Sequence, residues 1–280
     1  MKFMRLFVCS LLAGLALQSE AAEFCDDAYY VDKTLSNGAR WDMCWEHRAR
    51  EGIVLHHVYY KPANGERRKV LHQANLAQIH VPYDDNGSRF HDISDYGIGN
   101  YYMLNLTGAD CPDGQLLSHD GRPLLCQQVL DEGFGYTFGG ESVQSEMLSL
   151  YSVSVVGAYN YIPTWRFYDN GTIEPGLGAT GALQRFGGID VEDHGWAVSP
   201  TGVGLSHLHN YFWRLDFDLG DNGNDDFVEE LNFISASGKR LRSTTRYTQE
   251  VGRSVDPDRM RTWRVVDGQK NANGHAFSYE

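Results

Sequence analysis

The chain has 280 residues, a net charge of −13 and 42% hydrophobic residues. The negative charge argues against a nucleic-acid-binding protein, and no stretch after residue 22 is long and apolar enough to span a bilayer. The length suits one large domain with a sizeable core. Thirty glycines, sixteen tyrosines and few helical patterns favour an all-β architecture.

The amino terminus, residues 1–22, is typical of a secretory signal. Basic residues come first, an apolar run follows, and small residues end it at Ser19, Ala21 and Ala22. The run is too short for a membrane anchor. We therefore expect cleavage near Ala21 or Ala22, a secreted or periplasmic protein, and a single domain formed by residues 23–280.

Four cysteines follow the signal, at positions 25, 44, 111 and 126. In an exported protein an even number of cysteines suggests two disulfides, and three pairings are open. The local pairing Cys25–Cys44 and Cys111–Cys126 is the simplest. A cysteine-based metal site is the alternative, although the spacings match no familiar one.

Pattern and turn signals divide the domain into predicted elements. Residues 23–50 and 105–141 lack a clear period and are predicted to be irregular or loop-rich. The run Asp-Asn-Gly-Thr at 169–172 is a strong hairpin-turn signal. Strands are predicted from apolar or alternating patterns at residues 52–60, 205–219, 227–233 and 262–266. Together these elements predict a large β-sandwich.

Residues 205–219 separate into two faces when they are read with a period of two, as a strand does. His207 and His209 fall on the apolar face, whereas Asp216 and Asp218 fall on the polar face. Two neutral imidazoles at i and i+2 can aim their nitrogens at one transition metal. Hydrogen-bonded core histidines are the alternative that this pattern alone leaves open.

Three blocks of sequence occur in order along the domain. The first joins His-Val-Pro-Tyr at 80–83 to Asp-Ile-Ser-Asp-Tyr-Gly at 92–97. The second joins Val-Gly-Ala-Tyr-Asn-Tyr-Ile at 156–162 to Asn-Gly-Thr-Ile at 170–173. The third joins His-Leu-His at 207–209 to Arg-Leu-Asp-Phe-Asp at 214–218. Over residues 40–280 the sequence thereby resembles the catalytic domain of the copper- and topaquinone-dependent primary amine oxidases, a β-sandwich that would here be incomplete at its carboxyl end.

The resemblance implies a role for each matching residue. Tyr159 would be the tyrosine that copper and dioxygen convert to topaquinone, with His207 and His209 as copper ligands. Asp92 would be the general base that removes the α-proton of the substrate, and Tyr83 would hydrogen-bond the quinone. The implied reaction converts a primary amine and O2 into an aldehyde, ammonia and hydrogen peroxide, in a protein that would be a homodimer.

Further matches concern the rim of the site and a second metal. Phe90 matches an aromatic gate of the family. Asp216 and Asp218 match ligands of a structural site usually occupied by calcium, and their shared polar face suits oxygen ligation. A solvated strand face is the alternative for this pair of aspartates.

The sequence also departs from the family pattern. Ala158 stands where the family has Asn before the modified tyrosine, and Asn160 stands where it has an acidic residue. The third copper histidine of the family matches no residue up to Glu280. These departures favour a second hypothesis, a catalytically inactive homologue that serves as a secreted binding or structural module. An unrelated sugar-binding sandwich is the third hypothesis.

Overall fold

The computed structural model describes residues 24–87, 89–186, 193–220 and 222–280. These residues form strands almost throughout, with short 3₁₀ turns and a four-residue helix, α1 (Asp92–Asp95). In chain order the strands are β1 (Tyr30–Thr34), β2 (Arg40–Arg48), β3 (Gly52–Lys61), β4 (Arg68–Pro82), β5 (Arg89–His91), β6 (Gln115–His119), β7 (Arg122–Phe138), β8 (Glu141–Tyr151), β9 (Ser154–Val156), β10 (Tyr159–Tyr168), β11 (Ile173–Gly181), β12 (Arg185–Phe186), β13 (Trp196–Ser199), β14 (Gly202–Gly204), β15 (Asn210–Phe217), β16 (Phe227–Ala236), β17 (Lys239–Tyr247), β18 (Thr262–Lys270) and β19 (Ala276–Tyr279).

Antiparallel pairing joins these strands into two larger and two smaller sheets within the described residues. The first sheet has the order β1-β2-β3-β4-β15, with β5 paired to β4. The second has the order β11-β10-β8-β7-β6, with β9 paired to β10. The smaller sheets have the orders β12-β14-β13 and β17-β16-β18-β19. The predicted all-β fold is confirmed.

The main core lies between the first and second sheets. Trp41 and Leu55 from the first sheet share it with Trp165 and Phe167 from the second, and the rings of Trp41 and Phe167 are 5.0 Å apart. Burial of one such side chain contributes about 2–3 kcal/mol. Trp41 also donates a hydrogen bond of 2.8 Å from its indole nitrogen to the carbonyl oxygen of Tyr168. The two sheets therefore form the predicted sandwich, packed through inward-facing side chains.

A second core adjoins the first, and β4 contributes to both. Leu71 lies in the main core, whereas Leu76 and Ile79, further along the same 15-residue strand, lie in the second. The second core also contains the fully buried side chain of Tyr161 and the nearly buried side chain of Tyr83. It therefore brings the end of β4 against the start of β10, where two of the sequence blocks meet.

The prediction of irregular structure is wrong for two stretches, because both form strands. Residues 23–50 contain β1 and β2, and residues 105–141 contain β6 and all of β7. In β2 no alternation of polar and apolar residues is visible, because Asp42 and Cys44 are both buried. Oδ2 of Asp42 accepts a hydrogen bond of 2.9 Å from Arg67, and Cys44 forms a disulfide. In β7 the half beyond Leu130 is largely exposed on both faces, so no apolar period marks it.

The predicted strand at 205–219 is correct in its faces and wrong in its bounds. His207 and His209 are partly buried while Leu208 between them is exposed, as the alternation requires. However, β15 begins only at Asn210, because its partner strand ends at Pro82, which has no N–H to donate. The histidines lie in extended backbone held by a Tyr83–His207 bridge and by a hydrogen bond from Leu208 N to Pro82 O.

The remaining predictions about the domain have mixed outcomes. The strands at 52–60, 227–233 and 262–266 and the turn at 169–172 are confirmed. Both disulfides, Cys25–Cys44 and Cys111–Cys126, are confirmed. The predicted signal at 1–22 lies outside the described residues. Within the described part of the chain, no helix is long and apolar enough to cross a membrane.

Candidate functional site

Two tyrosines from different sheets meet at the edge of the second core. Tyr159 opens β10 directly after a turn in which Gly157 has a φ of +60°, which glycine adopts without strain. Tyr83 follows β4, and its hydroxyl lies 3.2 Å from the hydroxyl of Tyr159. Burial is the main cause that raises the pKa of Tyr83, so this phenol stays protonated at neutral pH. The two tyrosines are therefore in contact through their hydroxyl groups.

His207 and His209 lie beside the same phenol. The ring centroid of Tyr159 is 5.3 Å from that of His207 and 4.9 Å from that of His209, and the two imidazole centroids are 4.9 Å apart. The ring of Tyr83 stacks on His207 at 4.8 Å. The structure thus brings together four residues that the sequence predicted to share a site.

The nitrogen atoms of both histidines suit a transition metal. Nδ1 of His207 lies 3.1 Å from the carbonyl oxygen of Leu205, which can only accept, so in the neutral imidazole the proton lies on Nδ1 and Nε2 has the free lone pair. Nε2 of His209 is buried without a hydrogen-bond partner among the described residues. Burial, assisted by His207, lowers the pKa of His209 to about 4, so its imidazole is neutral at pH 7. A buried, neutral and unpaired imidazole nitrogen is costly unless it binds something, and the pair therefore fits a copper ion.

Asp92 begins α1, and it is 5% exposed. Its Oδ2 accepts a hydrogen bond of 2.6 Å from the hydroxyl of Tyr161, which is itself fully buried. Burial raises the pKa of the Asp92 carboxyl, and the hydrogen bond from Tyr161 opposes that rise. A carboxylate of this kind is a stronger base than an exposed one.

A cavity of about 250 Å³ lies beside Tyr83, Asp92 and Tyr159. Asp92 lines it together with the rings of Tyr83 and Tyr159, and Phe90 packs edge-on against Tyr83 at 5.8 Å between centroids. Apart from the carboxylate the walls are mainly aromatic and aliphatic. The cavity can therefore hold a small, largely apolar molecule with one polar group near Asp92.

Some functional side chains were missed by the sequence analysis. Tyr161, the donor to Asp92, was quoted only as part of a motif, although its i+2 spacing from Tyr159 is the signal for a shared face. Gln184 and Phe186 also line the cavity, and the backbone N–H of Gln184 donates to the hydroxyl of Tyr159 at 3.3 Å. No local pattern marks these two residues, since only the folding of the chain after β11 brings them there.

Asp216 and Asp218 lie away from this cavity, and their predicted calcium site stays a prediction. Asp218 forms an ion pair with Lys69, and Asp216 lies 3.9 Å from Arg214. Each carboxylate thus has a cationic neighbour within the described part of the chain.

The family departures also have defined places. Ala158 precedes Tyr159 in the turn, and its carbonyl oxygen accepts from Ala182 N at 2.9 Å. Asn160 is partly buried in β10 opposite Thr180. Among residues 24–87, 89–186, 193–220 and 222–280, no third His, Cys, Asp or Glu joins His207 and His209 in a cluster of metal-ligand spacing.

Solved structures with this fold are known. A copper-containing benzylamine oxidase from Hansenula polymorpha superposes with a TM-score of 0.73 at 17% identity, over 88% of this chain and 44% of that one. The lysyl oxidase of Pichia pastoris superposes with a TM-score of 0.66 at 16% identity, over 86% of this chain and 37% of that one. At these identities the likeness shows the fold.

Comparison of sequences also identifies the family. Primary amine oxidase 2 of Arabidopsis thaliana is 27% identical over 89% of this chain, and the primary amine oxidase of Klebsiella aerogenes is 28% identical over 86%. The chain spans 43% and 37% of the lengths of these two relatives, less than half of each. The family profile described as copper amine oxidase, enzyme domain, matches residues 31–120 and 134–280. The chain therefore belongs to the copper amine oxidase family, and most of it is sequence of the family's enzyme domain.

Proposed function

We propose that this protein oxidises a small primary amine with a copper ion held by His207 and His209 and a quinone formed from Tyr159. The observation that carries the proposal is the packing of the Tyr159 ring against both imidazoles, one of which has a buried nitrogen without a partner. The reaction would consume one amine, one O2 and one water and release an aldehyde, ammonia and hydrogen peroxide. When present, the quinone and copper would carry two electrons from the amine to O2.

The residues around the ring have separate tasks in this proposal. The carboxylate of Asp92 accepts the α-proton of the amine, and the hydroxyl of Tyr161 holds that carboxylate towards the cavity. The hydroxyl of Tyr83 donates to the oxygen on the ring of residue 159. Phe90 and Phe186 exclude water from the cavity, which preserves the basicity of Asp92.

The shape of the cavity supports one class of substrate. A volume of about 250 Å³, aromatic walls and one carboxylate suit a short arylalkyl or alkyl primary amine. Oligopeptide chains with several polar groups would leave those groups unpaired against the aromatic walls. We expect phenylethylamine-sized molecules to be oxidised faster than polyamines.

Ala158 and Asn160 favour the second candidate function, that of an inactive homologue acting as a binding module. The methyl group of Ala158 offers no hydrogen bond that could hold the ring of residue 159 in one orientation. A ring that turns freely would spend less time facing Asp92, and turnover would fall even if copper bound normally.

One experiment separates the two candidates. The purified full chain would be incubated with Cu²⁺ under air and examined for a visible quinone absorption band and for a coloured adduct with phenylhydrazine. The oxidase proposal expects both signals, and it expects Tyr159→Phe to lose both while still binding copper. Stoichiometric copper binding with neither signal would overturn the oxidase and support the inactive homologue.

Export and assembly are part of the same proposal. The signal at 1–22 would direct the chain out of the cytoplasm, where the two disulfides can form. Homodimerisation is implied by the family resemblance. Mass determination of the exported protein and its sedimentation in solution would check these two expectations.

A further inference from the structure

The segment between β11 and β12, residues 182–184, lies against Tyr159. The backbone N–H of Ala182 donates a hydrogen bond of 2.9 Å to the carbonyl oxygen of Ala158, directly before Tyr159. Two residues further along, the backbone N–H of Gln184 donates one of 3.3 Å to the hydroxyl oxygen of Tyr159. The segment therefore contacts the backbone before this tyrosine with one amide and its phenol oxygen with another.

Strand pairing fixes both ends of the segment. Tyr159 pairs with Gly181 at the end of β11, where a Cβ would lie 2.3 Å from the carbonyl oxygen that precedes Tyr159, so only glycine allows this approach. At the other end, Arg185 of β12 pairs with Gly204 of β14. The intervening amide that contacts the phenol is therefore positioned by the backbone on either side of it. The glutamine side chain contributes only a hydrogen bond to the carbonyl oxygen of the next residue.

The oxygen of Tyr159 thus has two neighbours that can donate to it. The hydroxyl of Tyr83 lies 3.2 Å away, and burial raises its pKa, so it keeps its proton. The backbone N–H of Gln184 can only donate. A phenol at this place accepts from Gln184 and can donate to the oxygen of Tyr83, whereas a ring oxygen without hydrogen accepts from both. The surroundings therefore suit the oxygen of an oxidised ring at least as well as that of a phenol.

A second donor restricts how the ring of residue 159 can move. One hydrogen bond leaves the ring free to pivot about that contact, and the methyl group of Ala158 offers none. A donor on a different element removes part of this freedom, because an sp² oxygen accepts near the plane of its own ring. A fixed N–H group aimed at an oxygen also stabilises negative charge that develops there. The amide of Gln184 can therefore hold the ring and stabilise charge on its oxygen.

We propose that the backbone N–H of Gln184 is a positioning group that anchors the ring oxygen of residue 159, both in the phenol and in the oxidised ring. It supplies a restraint that the side chain of Ala158 lacks. The role on the oxidised ring rests on the proposed function, whereas the hydrogen bond to the phenol is independent of it. With this anchor, the alanine before Tyr159 is compatible with an active oxidase.

Hydrogen exchange of single backbone amides, followed by NMR, tests the anchor before any oxidation. The full chain would be produced without copper, so that residue 159 stays a tyrosine. Tyr159→Phe removes the acceptor and should speed exchange of the Gln184 amide about fivefold, which corresponds to the loss of one neutral hydrogen bond. The amide of Ala182, whose acceptor is a backbone carbonyl, is the matched control and should be unchanged. Equal exchange of the Gln184 amide in both proteins would overturn the proposal.

The copper-loaded protein tests the same anchor on the oxidised ring. Gln184→Pro removes the N–H, whereas Gln184→Ala keeps it and alters only the side chain. The proline variant should shift the visible quinone band and lower the fraction of chains that react with phenylhydrazine. Gln184→Ala should keep the wild-type band position, whatever its effect on amine binding. A proline variant with the wild-type band and the wild-type fraction would end the case for a positioning role, although oxidation itself would stand.

Failure of the proposed function would give a different result. A wild-type chain that binds copper and forms no quinone band would refute amine oxidation, and the exchange rate of the Gln184 amide would still decide whether the anchor exists. If Gln184→Pro failed to fold, the comparison with Tyr159→Phe would decide the question, because that substitution leaves the backbone at residue 184 intact.

Discussion

Substitution of Tyr161 by Phe removes a single hydroxyl that serves the buried Asp92. The donor is fully buried, the acceptor is 5% exposed, and their oxygens are 2.6 Å apart. A hydrogen bond to a buried charged group contributes about 3 kcal/mol, and one between neutral groups contributes about 1 kcal/mol. The Tyr161→Phe variant should therefore lose about 3 kcal/mol of unfolding free energy when Asp92 is ionised and about 1 kcal/mol when it is protonated.

The sign of the pH dependence follows from burial. The pKa of Asp92 in the folded protein lies above its value in the unfolded chain, and loss of the Tyr161 hydroxyl raises it further. Below both folded-state pKa values the two proteins differ only by the neutral hydrogen bond. As pH rises through those values, the variant falls further behind the wild type by about 2 kcal/mol.

Urea denaturation at several pH values between 4 and 8 would measure this difference. Tyr211→Phe is the control, because Tyr211 is a partly buried tyrosine near His209 whose hydroxyl makes no hydrogen bond within the described residues. Its effect should be small and independent of pH. A penalty for Tyr161→Phe that stays constant with pH, or that equals the control, would refute the assignment of Tyr161 as the donor that supports Asp92.

Three further predictions concern other parts of the molecule. Replacement of both Cys111 and Cys126 by Ser opens a loop with a sequence separation of 15 and should lower the unfolding free energy by about 3 kcal/mol; chemical denaturation would check this, and an unchanged midpoint would contradict it. His209→Ala should weaken Cu²⁺ binding by at least about tenfold in competition with a chromogenic chelator, and undiminished affinity would exclude this imidazole as a ligand. Glu230 is buried, and hydrogen bonds led by that from Arg253 hold its carboxyl pKa well below the ordinary value. Its stabilisation is present at neutral pH and is lost as pH falls through the acidic range, so Glu230→Gln should be destabilised at pH 7 and should approach the wild type on acidification.

The sequence predicted which side chains lie close together at the candidate site better than it predicted the bounds of the strands. Period-two reading placed His207 and His209 on the inward face, because side-chain direction depends only on extended backbone. It placed the start of the strand too early, because hydrogen-bond pairing depends on the partner, and the partner ends at Pro82. The resemblance to a family predicted Tyr83, Asp92 and Tyr159 as neighbours, and their shared cavity agrees with that prediction.

Other features could not be read from local patterns for physical reasons. The sequence pattern of β2 does not predict a strand, because a charged residue such as Asp42 is normally exposed in one. The partner of Asp42, Arg67, lies two strands away and could not be identified from local sequence. One carboxylate oxygen from each of Asp225, Asp226 and Asp267 lies within 4.8 Å of the other two, and only the pairing of β16 with β18 brings these residues together. Such contacts depend on strand register, which one sequence specifies only through the complete core.

The length of β4 has a consequence for how the molecule responds to its ligands. Because one continuous strand belongs to both cores, the end that carries the candidate site should not melt separately from the sandwich. A metal that binds only the native state at a free concentration 100 times its Kd would stabilise the entire domain by about 2.7 kcal/mol. Slowed exchange of amide hydrogens at Leu71, in the main core, would then report on occupancy at His209.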